Sequence, residues 1–353
     1  MKRFDYAQYK DKYLKKDVLD MITKIHEYKG KASILLNIKK DTLNTLIEVA
    51  KIQSIDSSNR IEGIFTTDKR LEELINDKSM PLNRNEEEIL GYREVLKIVH
   101  ESYEHIDISS NNILQMHKEL YTYSKKSFGG FFKKTDNLIA EADEHGNEKI
   151  RFKPISALQT PNYVNDLCNE YNKVVKDNAV EELILIPIFI FDFLCIHPFT
   201  DGNGRISRLL TLLLLYKHDC IIGKYISIER LIEKTKETYY ESLGIANYNW
   251  HENKSNYEPF IRYFLGIILK AYRELEKRIN DTGSKKITKT DRVVDIIYSK
   301  LGKFTKKEIL EECYDISKIT VERTLNDLLK KGKIIKHSNG VKAFYTLESN
   351  TKK

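Results

Sequence analysis

The apolar stretch over residues 183–199 runs into a glycine-rich polar turn, and a second apolar run over 209–216 follows it. Pro187 and Asp192 interrupt the first run, which reads as a buried helix and not as a membrane span. The turn between the runs places His197, Asp201, Gly202, Asn203, Gly204, Arg205 and Arg208 within twelve positions. A glycine-rich turn that feeds a helix is an anion site, because unpaired backbone N–H groups and the helix dipole both point at it.

Helical periodicity extends well beyond this region. Val18, Leu19, Ile22 and Ile25 recur every three to four residues, as do Leu43, Leu46, Ile47, Val49 and Ala50. Only 6 prolines occur in 353 residues, which favours helices, and the expected fold class is mainly α. Residues 128–154 differ: short runs at Asn137-Leu138-Ile139 and Ile150-Arg151-Phe152 flank a turn at 143–147 and predict a β-hairpin. Residues 280–290 are polar without an apolar period and read as a linker. Helical patterns follow at 293–300, 306–314 and 320–331, and then two short strands, 334–337 and 341–345, around a Ser338-Asn339-Gly340 turn. Three helices followed by a hairpin predict a winged helix-turn-helix. The expected organisation is an N-terminal helical region over 1–95, a catalytic core over 96–278, a linker over 279–290 and the winged helix over 291–350.

The net charge is +7, and 17 Lys/Arg against 9 Asp/Glu lie from Ser284 onward, so the basic excess belongs to the C-terminal segment. Lys318, Arg323, Lys330, Lys331, Lys333, Lys336 and Lys342 are candidates to meet DNA phosphates there, with protein docking as the alternative. Cys168, Cys195, Cys220 and Cys313 are widely spaced, match no metal-ligand pattern and read as reduced, mostly buried thiols. Residues 1–16 are charged and aromatic and do not read as a signal peptide, so the expected place is the cytoplasm, off the membrane.

The turn itself holds the chemistry. His197 is a base near neutrality that can take a proton from an attacking hydroxyl. Asp201 beside a phosphate-binding turn suits Mg2+. Gly202 and Gly204 let phosphate oxygens approach the backbone, and Asn203 offers its amide and tolerates a left-handed conformation. Arg205 and Arg208, three apart, are expected on one helix face as a pair of forks for a polyphosphate.

HPFTDGNGRISR resembles the signature of the Fic family, H-x-F-x-[DE]-G-N-G-R-x-x-R, at every fixed position. The resemblance implies a Fic-type helical bundle with a short β-hairpin flap, transferring AMP from ATP to a Ser, Thr or Tyr hydroxyl of a protein, itself included. It implies that His197 is the base and that Asp201 holds Mg2+. The turn from Gly202 to Gly204 would cradle phosphates, and Arg205 and Arg208 would grip the triphosphate tail. Relatives that transfer phosphate instead carry lysine where this chain has Gly204. The hairpin resembles the flap that aligns the target by backbone pairing. Gly129-Gly130-Phe131-Phe132-Lys133 resembles the Gly-x-[FY]-Arg ahead of it, with Lys133 in place of arginine and no role assigned. Tyr239-Tyr240-x-x-Leu243-x-x-x-Asn247 resembles the family's adenine-pocket helix, in which Tyr240 and Leu243 pack the base and Asn247 hydrogen-bonds it, although the spacing also suits plain helix core.

Ser57-Ser58-Asn59-Arg60-Ile61-Glu62-Gly63 reads by itself as the C-terminus of a surface helix. It resembles the family's inhibitory motif, [ST]-x-x-x-E-[GN], with Ser58 and Glu62 at the fixed positions and Glu62 pairing with Arg208 in place of the γ-phosphate. A carboxylate there also suits a hydrolase that removes AMP from the same site. A nucleotide-sensing DNA-binding regulator is the alternative from another class. The target protein and a homodimeric state stay open.

Overall fold

The computed structural model describes residues 2–38, 40–76, 78–124, 126, 128–142, 148–284, 289–298, 300, 303–313, 316–338 and 343–348. It divides into two compact units, Met1–Lys277 and Arg278–Lys353.

In the first unit, α1 (Lys16–Ile38) and α2 (Lys40–Ile61) are followed by α3 (Asp68–Ile75), α4 (Arg84–Ser102) and α5 (Ser110–Leu120). Thr67, Asn83 and Ser109 start the last three, each accepting a backbone N–H three residues on, so one otherwise unpaired donor per helix is satisfied. The hairpin is β1 (Ile139–Ala142) with β2 (Glu148–Phe152), paired antiparallel with Ala140 opposite Ile150 and a bulge after Ile139. The expected turn at 143–147 lies outside the described residues. Next come α6 (Thr160–Lys176), α7 (Glu182–Ile196), α8 (Asn203–Lys217), α9 (Ile228–Glu233), α10 (Lys236–Ala246) and α11 (Glu258–Ser284).

The core is centred on α7, which packs between α6 and α8. Nearly all its residues are buried, so apolar side chains occupy every face, as expected of a central helix. Pro187 is accommodated inside it. Asp192, fully buried, receives Trp250 Nε1–H (2.6 Å), Tyr257 O–H (2.8 Å) and Tyr6 O–H (2.9 Å), with Lys2 Nζ at 3.6 Å. A buried carboxylate is tolerable only with such partners, and these tie the first residues of the chain to the central helix. The α2 helix lies against α4 and α9 and also touches α8, so the N-terminal helices and the turn at His197 share one body.

The expected linker is in part helix: α11 continues through Asn280 to Ser284, because an amphipathic helix already nucleated propagates into polar sequence. In the second unit, α12 (Lys289–Tyr298), α13 (Lys306–Glu312) and α14 (Lys318–Lys330) precede β3 (Ile334–His337) and β4 (Phe344–Leu347). Thr305 and Glu308 form a capping box on α13, and β3 and β4 pair antiparallel with Ile335 opposite Thr346. Val293, Phe304, Ile309, Val321, Leu325 and Ile334 are buried together. The second strand runs two residues past Tyr345, and Lys342 and the turn at 339–342 lie outside the described residues. The four cysteines are buried, and no helix among the described residues is long and apolar enough to cross a membrane.

Candidate active site

The α7 helix stops at His197, whose φ of +50° is left-handed. That conformation costs a non-glycine residue on the order of 1 kcal/mol. The His197 Nδ1–H donates to the Leu194 carbonyl (3.3 Å), leaving Nε2 as the basic atom. Asn203 then closes the loop: its Oδ1 accepts from Phe199 N–H (2.9 Å) and its Nδ2 donates to the Phe199 carbonyl (2.8 Å). The left-handed residue at the start of α8 is Gly202, φ +84°, and not Asn203. Asn203 is therefore a buried clasp, and its amide is spent on the loop.

A second histidine, invisible as such in the sequence, holds the loop from below. His117 stacks on Phe199 with ring centroids 3.7 Å apart, accepts Gly130 N–H at Nδ1 (3.0 Å) and donates Nε2–H to the Asp201 carbonyl (3.0 Å). Burial holds both His117 and His197 down to about 4, with the Lys133 charge adding to the effect at His197. Both are neutral at pH 7. In the unfolded chain they bind protons near 6.5, so the stability they add is present above that pH and is lost as pH falls from 6.5 toward 4. At about 1–2 kcal/mol each, Tm by circular dichroism is expected to drop several degrees between pH 7 and 5. A flat Tm over that window would mean that these imidazoles are hydrated.

Arg205 and Arg208 part company. Arg205 is fully buried, pairs with Glu88 of α4 (2.8 Å), donates to Tyr121 Oη (2.8 Å) and lies 3.5 Å from Asp201. The paired-fork expectation fails for Arg205, which points into the core and braces the turn. Arg208 faces the other way. Its Nε donates to Ser58 Oγ and its Nη2 to the Ser58 carbonyl and to Glu62 Oε1, all at 2.8 Å. Burial is the largest influence and opposes the Arg208 charge, but Glu62, Tyr239 and Tyr92 together outweigh it and the guanidinium is held protonated. Gly204 makes this approach feasible, since a Cβ there would collide with Glu62 Oε1.

Asp201 is 40% exposed, with Lys126 Nζ 2.9 Å away and Arg84 Nη2 at 3.7 Å. Burial alone would raise its carboxyl, but Lys126 and Arg205 draw it below the usual range. An ionised carboxylate that already attracts a cation on its exposed side fits a divalent-ion ligand.

His197, Gly204, Arg208 and Glu62 open onto one cavity of about 420 Å³, which is in the range of small-molecule sites. Tyr240, Leu243 and Asn247 line its other wall and are half-buried there, not helix core. The hairpin adds Ile139, Ala140, Arg151 and Phe152, and Arg151 donates to the Tyr240 carbonyl. Lys133 and Asn137 root the hairpin on the loop that begins at His197. Lys133 Nζ donates to Asn137 Oδ1 (2.8 Å) and the Ile196 carbonyl (3.2 Å), and Asn137 Nδ2 donates to the Phe199 carbonyl (3.2 Å). Lys236, Arg151, Lys126, Glu88 and His117 carry no motif. Only their neighbours in space reveal them.

Residues 107–215 match the Fic/DOC family model. The chain carries a Fic domain. The Fic domain and its surroundings are 26% identical over 186 residues to protein adenylyltransferase fic-1 of Caenorhabditis elegans, covering 51% of this chain and 32% of the worm protein. Over 251 residues they are 26% identical to protein adenylyltransferase Fic of Nematostella vectensis, covering 69% of this chain and 53% of that one. The chain thus spans a third to a half of the length of these curated relatives. Among solved structures, a Fic family protein from Desulfovibrio desulfuricans G20 superimposes with a TM-score of 0.63 at 20% identity, covering 96% of this chain and 98% of that one. Fic-1 from C. elegans gives 0.58 at 18% identity, covering 75% of this chain and 73% of that one. The Fic fold is therefore the architecture around the cavity.

Proposed function

We propose that this chain is a protein adenylyltransferase that moves AMP from ATP to a Ser, Thr or Tyr hydroxyl of a protein, and that it is autoinhibited. The observation that carries the reading is the single cavity shared by His197, Gly204, Arg208 and the Tyr240–Leu243–Asn247 face. A base, a phosphate clamp and an apolar slot for a flat base are what this transfer needs in one place. The names of the curated relatives support it.

In this reading the target hydroxyl gives its proton to His197 Nε2 while its oxygen bonds to the α-phosphorus. The bond from that phosphorus to the α–β bridging oxygen breaks, and pyrophosphate leaves. The first backbone N–H groups of α8, at Asn203 and Gly204, meet phosphate oxygens at the positive end of the helix. Mg2+ held by Asp201 would offset charge on the leaving phosphates. Tyr240 and Leu243 pack the adenine, Asn247 hydrogen-bonds it, and the hairpin pairs with the target backbone. With Glu62 and Ser58 on Arg208, the γ-phosphate lacks its partner, and ATP binds misaligned. Incubation with α- and γ-labelled ATP in parallel tests the reaction. Label is expected on protein from the α position alone, and label from γ would overturn the assignment in favour of phosphoryl transfer.

Glu62 reaches the same cavity as His197, which favours a second reading: a hydrolase that removes AMP, with Glu62 orienting the water. For the second unit, three helices and an antiparallel pair support a winged helix. Exposed Lys318, Arg323 and Lys330 on α14 favour weak, salt-dependent DNA contact, while Lys331 is engaged by Asp327 at 2.7 Å. A cytoplasmic protein acting on a protein target, itself included, and able to dimerise completes the proposal.

A further inference from the structure

We propose that Lys236 is a second cationic clamp, held by the C-terminal end of α2 in the resting protein and taken over by the polyphosphate when nucleotide enters. This rests on the autoinhibited reading above and extends it.

Lys236 opens α10, the helix that carries Tyr240 and Leu243, and it lines the same cavity as Glu62, Gly204 and Arg208. Its Nζ donates to the Ile61 carbonyl at 2.7 Å, the last residue of α2, and sits 5.9 Å from the Tyr240 ring centroid. One turn earlier on α2, Arg208 Nη2 takes the Ser58 carbonyl at 2.8 Å. Two cations from different elements thus cap one helix end, each through a carbonyl that the helix leaves unpaired. A helix C-terminus carries partial negative charge, and Glu62 adds a full one directly after it. To Arg208 and Lys236, this end presents clustered oxygens and negative charge, as a terminal phosphate does.

The competition is lopsided at Lys236. In the resting protein it donates to a neutral carbonyl, whereas a phosphate oxygen offers a charge-assisted bond about twice as strong. Its side chain is long and its residue exposed, so the ammonium can swing within the cavity without moving α10. Phosphates that draw Lys236 away also loosen the end of α2 that positions Glu62. Lys236 thereby links nucleotide arrival to release of the brake, from the α10 side of the pocket.

The experiment compares Glu62→Gly, Lys236→Met and the double variant by calorimetric titration with a non-hydrolysable ATP analogue and, separately, with adenosine. Lys236→Met in the Glu62→Gly background is expected to weaken the ATP analogue about tenfold and to leave adenosine within about twofold. Equal weakening of both ligands, or no weakening of either, would overturn the clamp. Lys236→Arg is expected to retain most of the analogue affinity. At saturating ATP, where the lost affinity no longer limits the rate, Lys236→Met alone is expected to raise basal self-labelling a few-fold, and a fall there would count against the tether. If Glu62→Gly by itself fails to raise labelling, the autoinhibited reading fails, while the titrations still judge phosphate contact by Lys236 on their own.

Discussion

Glu62→Gly is expected to raise self-labelling from α-labelled ATP by about 100-fold. Glu62 Oε1 holds Arg208 Nη2 at 2.8 Å, inside a cavity in which the arginine is buried and the carboxylate only partly so. Removing the carboxylate returns one face of a protonated guanidinium to the cavity, and the two Ser58 contacts still hold that guanidinium in place. The gain comes from alignment: a triphosphate gripped at its tail presents its α-phosphorus in line with the incoming hydroxyl, and misplacement by about 1 Å is worth roughly two orders of magnitude. The increase should therefore appear mainly in kcat and less in KM. Gly204 gives an independent lever, since any side chain there would push against Glu62. Labelling unchanged in Glu62→Gly would end the braking role. The loss of one half-exposed partner should leave Tm within a few degrees of wild type.

His197→Ala in the Glu62→Gly background is expected to lose about 10²–10⁴ of the transfer rate, the usual worth of a positioned general base. The side chain is poised for this work in two ways. Its Nδ1–H is engaged by the Leu194 carbonyl, so Nε2 carries the lone pair, and burial holds the ring neutral down to about 4. The base form therefore persists through the physiological range and is lost only as pH falls toward that value. Binding of an ATP analogue should survive within about threefold, because the proposed phosphate donors belong to α8 and Arg208. Transfer that persists in the alanine variant would require another base.

Much of this was legible in one dimension. The apolar run at 183–199 reads as a buried helix, and α7 covers it as far as Ile196. The hairpin was legible because alternation and turn residues are local signals, although Asn137 and Leu138, read with the first strand, precede β1. The linker was overextended because polarity alone does not stop a helix. Lys133 showed only as a departure from a pattern, and its clasp on Ile196 and Asn137 needed the fold.

Arg205 and Arg208 mark the division most clearly. By itself the sequence determined which residues share the turn and that a helix ends upstream at Ser58 to Glu62. It left the two arginines equivalent, because three positions on a helix place side chains about 60° apart, close enough to share a face or to part. Tertiary structure alone decided between them. The α4 helix brings Glu88 to one guanidinium and buries it, while α2 brings Ser58 and Glu62 to the other at the cavity wall. The physical reason is that a charge takes its role from whatever neighbour the fold delivers, and those neighbours lie more than a hundred residues away in the chain.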